Sequence, residues 1–305
     1  MKRSPTRHAL LSLSAALLST LALTATALTA TASAPPRFSP PKEFSLAIGD
    51  SIAFGQDETL VAQIQSGTYA PEDFASGYVD LFDARLATVS AGIDTVNYSC
   101  PGETTATFIA GGCWLRSTFG PLPLHDDYPL ATSQLAVTLE FLRQHRGEVS
   151  PITLTLGADD FLVPFLIVCG GQIDCLTRNY SIPDILAQAR LNLDAILTAL
   201  RKAAPDSEII MLAYYNPFGF DPGPLGLVSN AIVTGLNEVI TEVAADKGAR
   251  VADAYTPINL GPQPETLCVL TLVCAFGDVH PTEEGYAVIA EQFWASSGYE
   301  RLVDD

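Results

Sequence analysis

"FSLAIGDSIAFG", residues 44–55, runs an apolar stretch straight into Gly-Asp-Ser. Phe44, Leu46, Ala47 and Ile48 read as a buried strand, and Gly49 stops it. Ser51 then stands at the carboxyl end of that strand, where open parallel α/β folds build their sites. If a helix opens at the serine, its free backbone N–H groups favour a developing anion.

Working outward, strand-like runs recur at 94–98, 152–156, 209–213 and 250–252. Between them, apolar residues spaced by three and four predict helices over 75–87, 133–146, 183–203 and 227–247, with a last one over 282–295. Ser181, Pro183 and Asp184 form a helix start, and Thr282 is the N-cap expected for the last helix. Strands alternating with helices, the strands near-continuously apolar, predict an α/β fold with a parallel sheet of about five strands covered on both faces. No internal repeat and no linker after residue 43 is evident, so residues 44–305 read as one domain. The Pro/Gly-rich stretches 111–129, 216–226 and 256–271 are expected to leave the sheet and wall a pocket.

The chain has 305 residues, 48% of them hydrophobic and 16% charged, ample for a core. Lys2, Arg3 and Arg7 precede an apolar stretch over 9–25, and "TATASAPP" follows with small-residue cleavage choices. This predicts a secretory signal peptide over 1–34 and a Pro-rich leader over 35–43. No cysteine lies near residues 20–40 to carry a lipid anchor, and no other stretch is long and apolar enough to span a bilayer. The expected protein is therefore secreted, extracellular or on the outer side of the envelope, with no membrane span after cleavage. Losing three basic residues would move the formal charge from −18 to −21. So acidic a chain is a poor partner for nucleic acid.

Secretion makes disulfides the default for six cysteines. Local spacing favours Cys100 with Cys113, Cys169 with Cys175 and Cys268 with Cys274. "CGGQIDC" and "CVLTLVC" hold five residues between their cysteines, unlike the tight spacing of zinc sites, so no metal is expected.

A serine nucleophile needs a base. His8 lies in the signal segment, His125 in the polar loop "LPLHDDYP" and His145 in the basic tail "RQHR", where it reads as a solvated surface residue. His280, in "GDVHPTEEGY", has Asp278 two residues before it and a helix opening after Pro281. The Gly-x-Ser-x-Gly elbow of ordinary α/β-hydrolases is absent, since Ala53 stands at its last position.

Four blocks in order resemble the SGNH/GDSL hydrolase superfamily: "IGDSIAFG", "NYSCPGETT", "LTLGADDF" and "DVHPTEEGY". Any one is weak, but together they cover nearly the whole chain beyond the leader. The resemblance implies a flavodoxin-like three-layer α/β/α sandwich and a serine esterase or lipase with no metal or cofactor. It implies Ser51 as nucleophile, His280 as base, and an oxyanion hole that includes the N–H groups of Ser51 and Gly102. Cys100–Cys113 would then pin the Gly102 loop, and Cys268–Cys274 the loop before His280.

The sequence departs from the family pattern twice. The family's acid would fall at 277, which is Gly277, and the carboxylate stands at Asp278. Either Asp278 or a main-chain carbonyl near Gly277 then orients the imidazole. The third block usually reads Gly-x-Asn-Asp, and its asparagine donates to the oxyanion; here that position is Asp159. An ionised aspartate only accepts, so it serves the oxyanion hole only if protonated. Burial and the neighbouring Asp160 would favour that state. Activity would then occupy a narrow, mildly acidic band, with Asp159 protonated and His280 neutral. The alternative is that Asp159 points elsewhere and two N–H donors suffice.

"FLVPFLIVC", following Asp160, reads as core, with an acyl-chain pocket as the alternative. The expected partner is a small-molecule, lipid or acylated-glycan ester; secretion argues against a coenzyme A thioester. Two other readings remain: a non-catalytic glycan- or lipid-binding relative, and acyl transfer through the same serine.

Overall fold

The computed structural model describes residues 38–303. The expected signal segment and the start of the Pro-rich leader lie outside the described residues. Five strands form one parallel sheet: β1 Phe44–Gly49, β2 Asp94–Asn97, β3 Val149–Thr155, β4 Ile209–Ala213 and β5 Arg250–Asp253. Their spatial order is β2-β1-β3-β4-β5, the flavodoxin-like winding. Every residue of β3 and β4 is buried, as a sheet covered on both faces requires.

Six helices carry the description: α1 Ser51–Phe54, α2 Tyr78–Val89, α3 Gln134–Gln144, α4 Ile182–Ala203, α5 Pro224–Asp246 and α6 Glu283–Ser297. α2 and α6 pack together on one face of the sheet, and α3, α4 and α5 cover the other. α2 turns Tyr78, Val79, Phe82 and Leu86 inward, the spacing of one helix face, and Tyr78 stacks on Phe293 of α6 at 4.4 Å between ring centroids. α4 buries Ala189, Leu193, Ile196, Leu197 and Leu200. Truncating any of these leucines to alanine removes about 2–5 kcal/mol.

The expected elements are all present, with shifted ends. β3 begins three residues before the predicted start at Ile152. Val149 pairs with Phe44, and its carbonyl accepts from the Ser207 hydroxyl. The Pro/Gly-rich stretches are partly helical, with short helices at Trp114–Phe119 and Glu265–Leu270. The spacing-based cysteine pairs are formed, with Cα–Cα distances of 6.3, 5.5 and 5.3 Å. Among the described residues, no single helix is long and apolar enough to cross a membrane.

The winding reverses between β1 and β3. Ser51 follows β1 and Asp159 follows β3, so both stand at the switch point where such sheets bind ligands. Gly49 makes this approach possible. Its φ is +131°, and a Cβ there would lie 1.8 Å from the Thr155 carbonyl oxygen.

Candidate active site

Asp50 shapes the turn that presents the serine. Its carboxylate accepts from the Ile52 N–H at 3.0 Å and caps α1. It also accepts from the Thr155 hydroxyl at 2.8 Å and the Tyr214 hydroxyl at 2.5 Å. Burial raises its pKa to about 6 against the pull of these bonds. Ser51 is held at the first position of α1 by groups from β3 and from the end of β4.

His280 reaches Ser51 from the loop before α6, with 2.9 Å between Nε2 and Oγ. Its Nδ1 lies against Asp278 Oδ1, which also accepts the His280 backbone N–H at 3.0 Å. With Nδ1–H donated to the carboxylate, Nε2 carries the lone pair and accepts from the serine hydroxyl. Burial works to raise the Asp278 pKa, but the hydrogen bond and charge of His280 outweigh it and hold the carboxyl below its ordinary value. Of the two orienting groups open from sequence, the side chain of Asp278 is the one in contact. The Tyr215 hydroxyl donates to the Val279 carbonyl at 2.6 Å and fixes this loop from β4. The loop closed by Cys268–Cys274 supports it too, since the Leu272 N–H donates to the His280 carbonyl at 2.9 Å.

Gly102 lies in the same cleft. Its φ is +75°, and a Cβ there would come within 2.4 Å of Trp114 Cβ. Cys100–Cys113 ties the two ends of this loop, and the Trp114 N–H donates to the Gly102 carbonyl at 3.2 Å. Among the described residues, the backbone N–H groups of Ser51 and Gly102 have no protein acceptor. Asp159 lines the cleft beside them, buried, with Oδ2 unpartnered.

Ser51, Gly102, Asp159, Asp278 and His280 thus share one cleft of about 320 Å³. Its rim is apolar, formed by Leu166, Ile167 and Phe276. Behind Leu162 and Tyr214 lies a small apolar channel-like pocket of about 60 Å³, walled by Phe161, Phe165, Leu225, Ile232 and Leu236, which shares Leu162 and Tyr214 with a smaller pocket touching Ser51 and His280. The run after Asp160 is therefore not simply core. Phe161 and Phe165 are buried, Leu162, Leu166 and Ile167 face the cleft, and Val168 is 65% exposed. A larger groove of about 600 Å³ beside β5 holds Glu238, Glu242 and Asp253 but neither a histidine nor a serine.

Two expectations need correction. His145 is half-buried rather than solvated, its ring against Phe44 and Phe141 at 4.4 and 4.5 Å. The 256–271 stretch does not line the cleft; that wall is made by Phe276–His280, whereas Trp114 from 111–129 reaches the cleft and Pro217, Phe218 and Leu225 from 216–226 reach the channel. His125 donates from Nε2 to the Phe54 carbonyl at 2.9 Å, a structural contact.

Sequence reading missed the supporting groups. Gln134 takes the Gly49 N–H, returns a hydrogen bond to the Gly49 carbonyl at 3.0 Å, and donates to Glu103 at 2.9 Å, bracing the Gly102 loop on β1. Asp160 accepts from the Thr105 N–H and hydroxyl at 2.8 and 2.6 Å, tying the loop after β3 to the same segment. Nothing local in the sequence marks these partners.

The model of the GDSL-like lipase/acylhydrolase family matches residues 47–288, and the chain belongs to that family. A comparison with curated protein sequences finds no match. Similar solved structures include an extracellular lipase from Streptomyces rimosus, 17% identical, with a TM-score of 0.55 over 83% of this chain and 99% of that one. A phospholipase A1 from Streptomyces albidoflavus is 16% identical, with a TM-score of 0.53 over 84% and 99%. An acetylxylan esterase from Geobacillus stearothermophilus is 16% identical, with a TM-score of 0.52 over 86% and 97%. At such identity these likenesses show the fold, a GDSL hydrolase fold shared by lipases and esterases.

Proposed function

We propose that the protein is a secreted serine hydrolase of carboxylic esters that works through an acyl-enzyme on Ser51. The observation that carries this is the 2.9 Å contact from His280 Nε2 to Ser51 Oγ, with Asp278 on the other ring nitrogen. Ser51 Oγ bonds to the ester carbonyl carbon as its proton passes to His280 Nε2. The carbonyl oxygen becomes an anion facing the free N–H groups of Ser51 and Gly102. The C–O bond to the alcohol then breaks, and His280 returns the proton to the leaving oxygen. Water, deprotonated by His280, attacks the acyl-enzyme and releases the acid and the serine. The apolar channel past Leu162 favours an acyl chain over a bare acetyl group. Three disulfides and the basic-then-apolar leader support secretion.

The test is hydrolysis of p-nitrophenyl acetate, butyrate, octanoate and palmitate by the protein and by Ser51→Ala. Loss of kcat by about 10⁴-fold or more in the variant is expected. Each methylene that enters the channel is expected to raise kcat/KM about three- to fourfold until the channel is full. Turnover untouched by Ser51→Ala would sink the nucleophile assignment. No turnover of any ester would favour a binding protein that retains the fold.

A further inference from the structure

Four carboxyl groups, Asp50, Glu103, Asp159 and Asp160, act on one another at the site, and of these Asp50 and Asp159 line its pockets. Asp50 accepts hydrogen bonds from Ile52, Thr155 and Tyr214. Asp160 accepts two from Thr105, and Glu103 accepts one from Gln134. Asp159 Oδ2 and Glu103 Oε1 are both buried and accept none, and of these two residues only Asp159 lines the cleft. Yet Asp159, 7% exposed, opens onto the cleft that holds Ser51, Gly102 and His280. The titratable groups around it come from each packed element: Asp50 at the end of β1, Glu103 beside Gly102, Asp160 next in the chain, Tyr214 and Tyr215 after β4, and Asp278 and His280 before α6. Among the described residues, no lysine or arginine lines this cleft. An unpaired carboxylate buried among other acids is expensive, and such a group neutralises.

We propose that Asp159 is a neutral carboxylic acid that donates its O–H to the oxyanion, as a third hydrogen-bond donor beside the N–H groups of Ser51 and Gly102. The proposal rests on the reading of Ser51 as nucleophile. No bond to Asp159 breaks in the step: its proton stays on its own oxygen, and the serine proton goes to His280. Ionisation would turn the donor into an acceptor and set a negative charge against the oxyanion. Burial raises the Asp159 pKa well above the ordinary carboxyl value, and the charges of Asp50, Asp160 and Glu103 push the same way. The protonated form is therefore the working form, and kcat is lost as pH rises through that raised pKa.

The experiment is the pH profile of kcat on p-nitrophenyl butyrate for the protein, Asp159→Asn and Asp159→Ala, with Ser51→Ala as control. Asn supplies an N–H donor at every pH, so the alkaline fall is expected to vanish in Asp159→Asn, with kcat at the acid optimum kept within severalfold. Asp159→Ala is expected to lose about 10²–10³-fold at the optimum, and much less on the alkaline side, where the parent has already lost its donor. An alkaline limb identical in the parent and Asp159→Asn would overturn the proposal, as would an unimpaired Asp159→Ala. Turnover surviving in Ser51→Ala would instead reject the nucleophile reading. Infrared difference spectra of the parent against Asp159→Asn need no substrate. A protonated carboxyl band at the pH of the acid optimum, lost in the variant, is expected, and its absence would refute the proposal.

Discussion

His280 uses both ring nitrogens, one on Asp278 and one on Ser51. Asp278→Ala leaves Nδ1–H without its acceptor and frees the ring to rotate and change tautomer. In steady-state kinetics on p-nitrophenyl acetate, kcat is expected to fall about 10³–10⁴-fold with KM little changed. A loss below tenfold would show that a main-chain group suffices as orienter. Ser51 and His280 were legible because their signals are local: a strand stop for one, a carboxylate and a helix start for the other. The Asp278 contact was half legible, since two residues of spacing put the carboxylate in reach without settling its direction. Asp50 as anchor was not legible, because Tyr214, which binds it, lies 164 residues away.

Disulfides connect elements to chemistry. Cys100–Cys113 closes a loop of sequence separation 13 around Gly102. Replacing both cysteines with serine is expected to lower stability by about 3 kcal/mol, read by urea unfolding. It should also lower kcat, because the Gly102 N–H then loses its fixed place; unchanged kcat would mean that Trp114 and Gln134 hold the loop unaided. The channel makes a separate prediction. Ile232→Trp on α5 fills its wall, so octanoate turnover should drop at least tenfold relative to acetate, and Ile232→Ala should shift preference to longer chains. An unaltered chain-length profile in both would remove the channel from substrate binding. The alternation of strand and helix was readable because hydrophobic period depends on neighbours in sequence. The early start of β3 was not, because Ser150 takes its partner from Glu208, on the far side of α4: its hydroxyl accepts the Glu208 N–H at 3.1 Å. Nor was the split role of Phe161–Val168, since core and cleft walls draw on the same apolar residues.

Across the whole molecule, buried acids tie stability to pH. Burial raises Glu103 from 4.5 to about 8 and Asp50 from 3.8 to about 6. The folded chain therefore binds more protons than the unfolded chain between about pH 4 and 8, so stability falls as pH rises across that window. A Tm several degrees lower at pH 8.5 than at pH 5 is expected, at about 2–4 °C per kcal/mol, and Glu103→Gln should flatten the curve. A Tm that climbs with pH would contradict the buried neutral acids.

The sheet order also sets a sequence in time. Ser51 and His280 stand 229 residues apart, at opposite ends of the described chain. A chain emerging from the ribosome shows Ser51 long before His280. Until α6 docks on α2 and draws the preceding loop across, Ser51 is as inert as any surface hydroxyl. On the proposed mechanism, ester turnover is thus a readout of whether the loop before α6 has reached Ser51, and a nascent or truncated chain that stops short of residue 280 stays silent however well its sheet has formed.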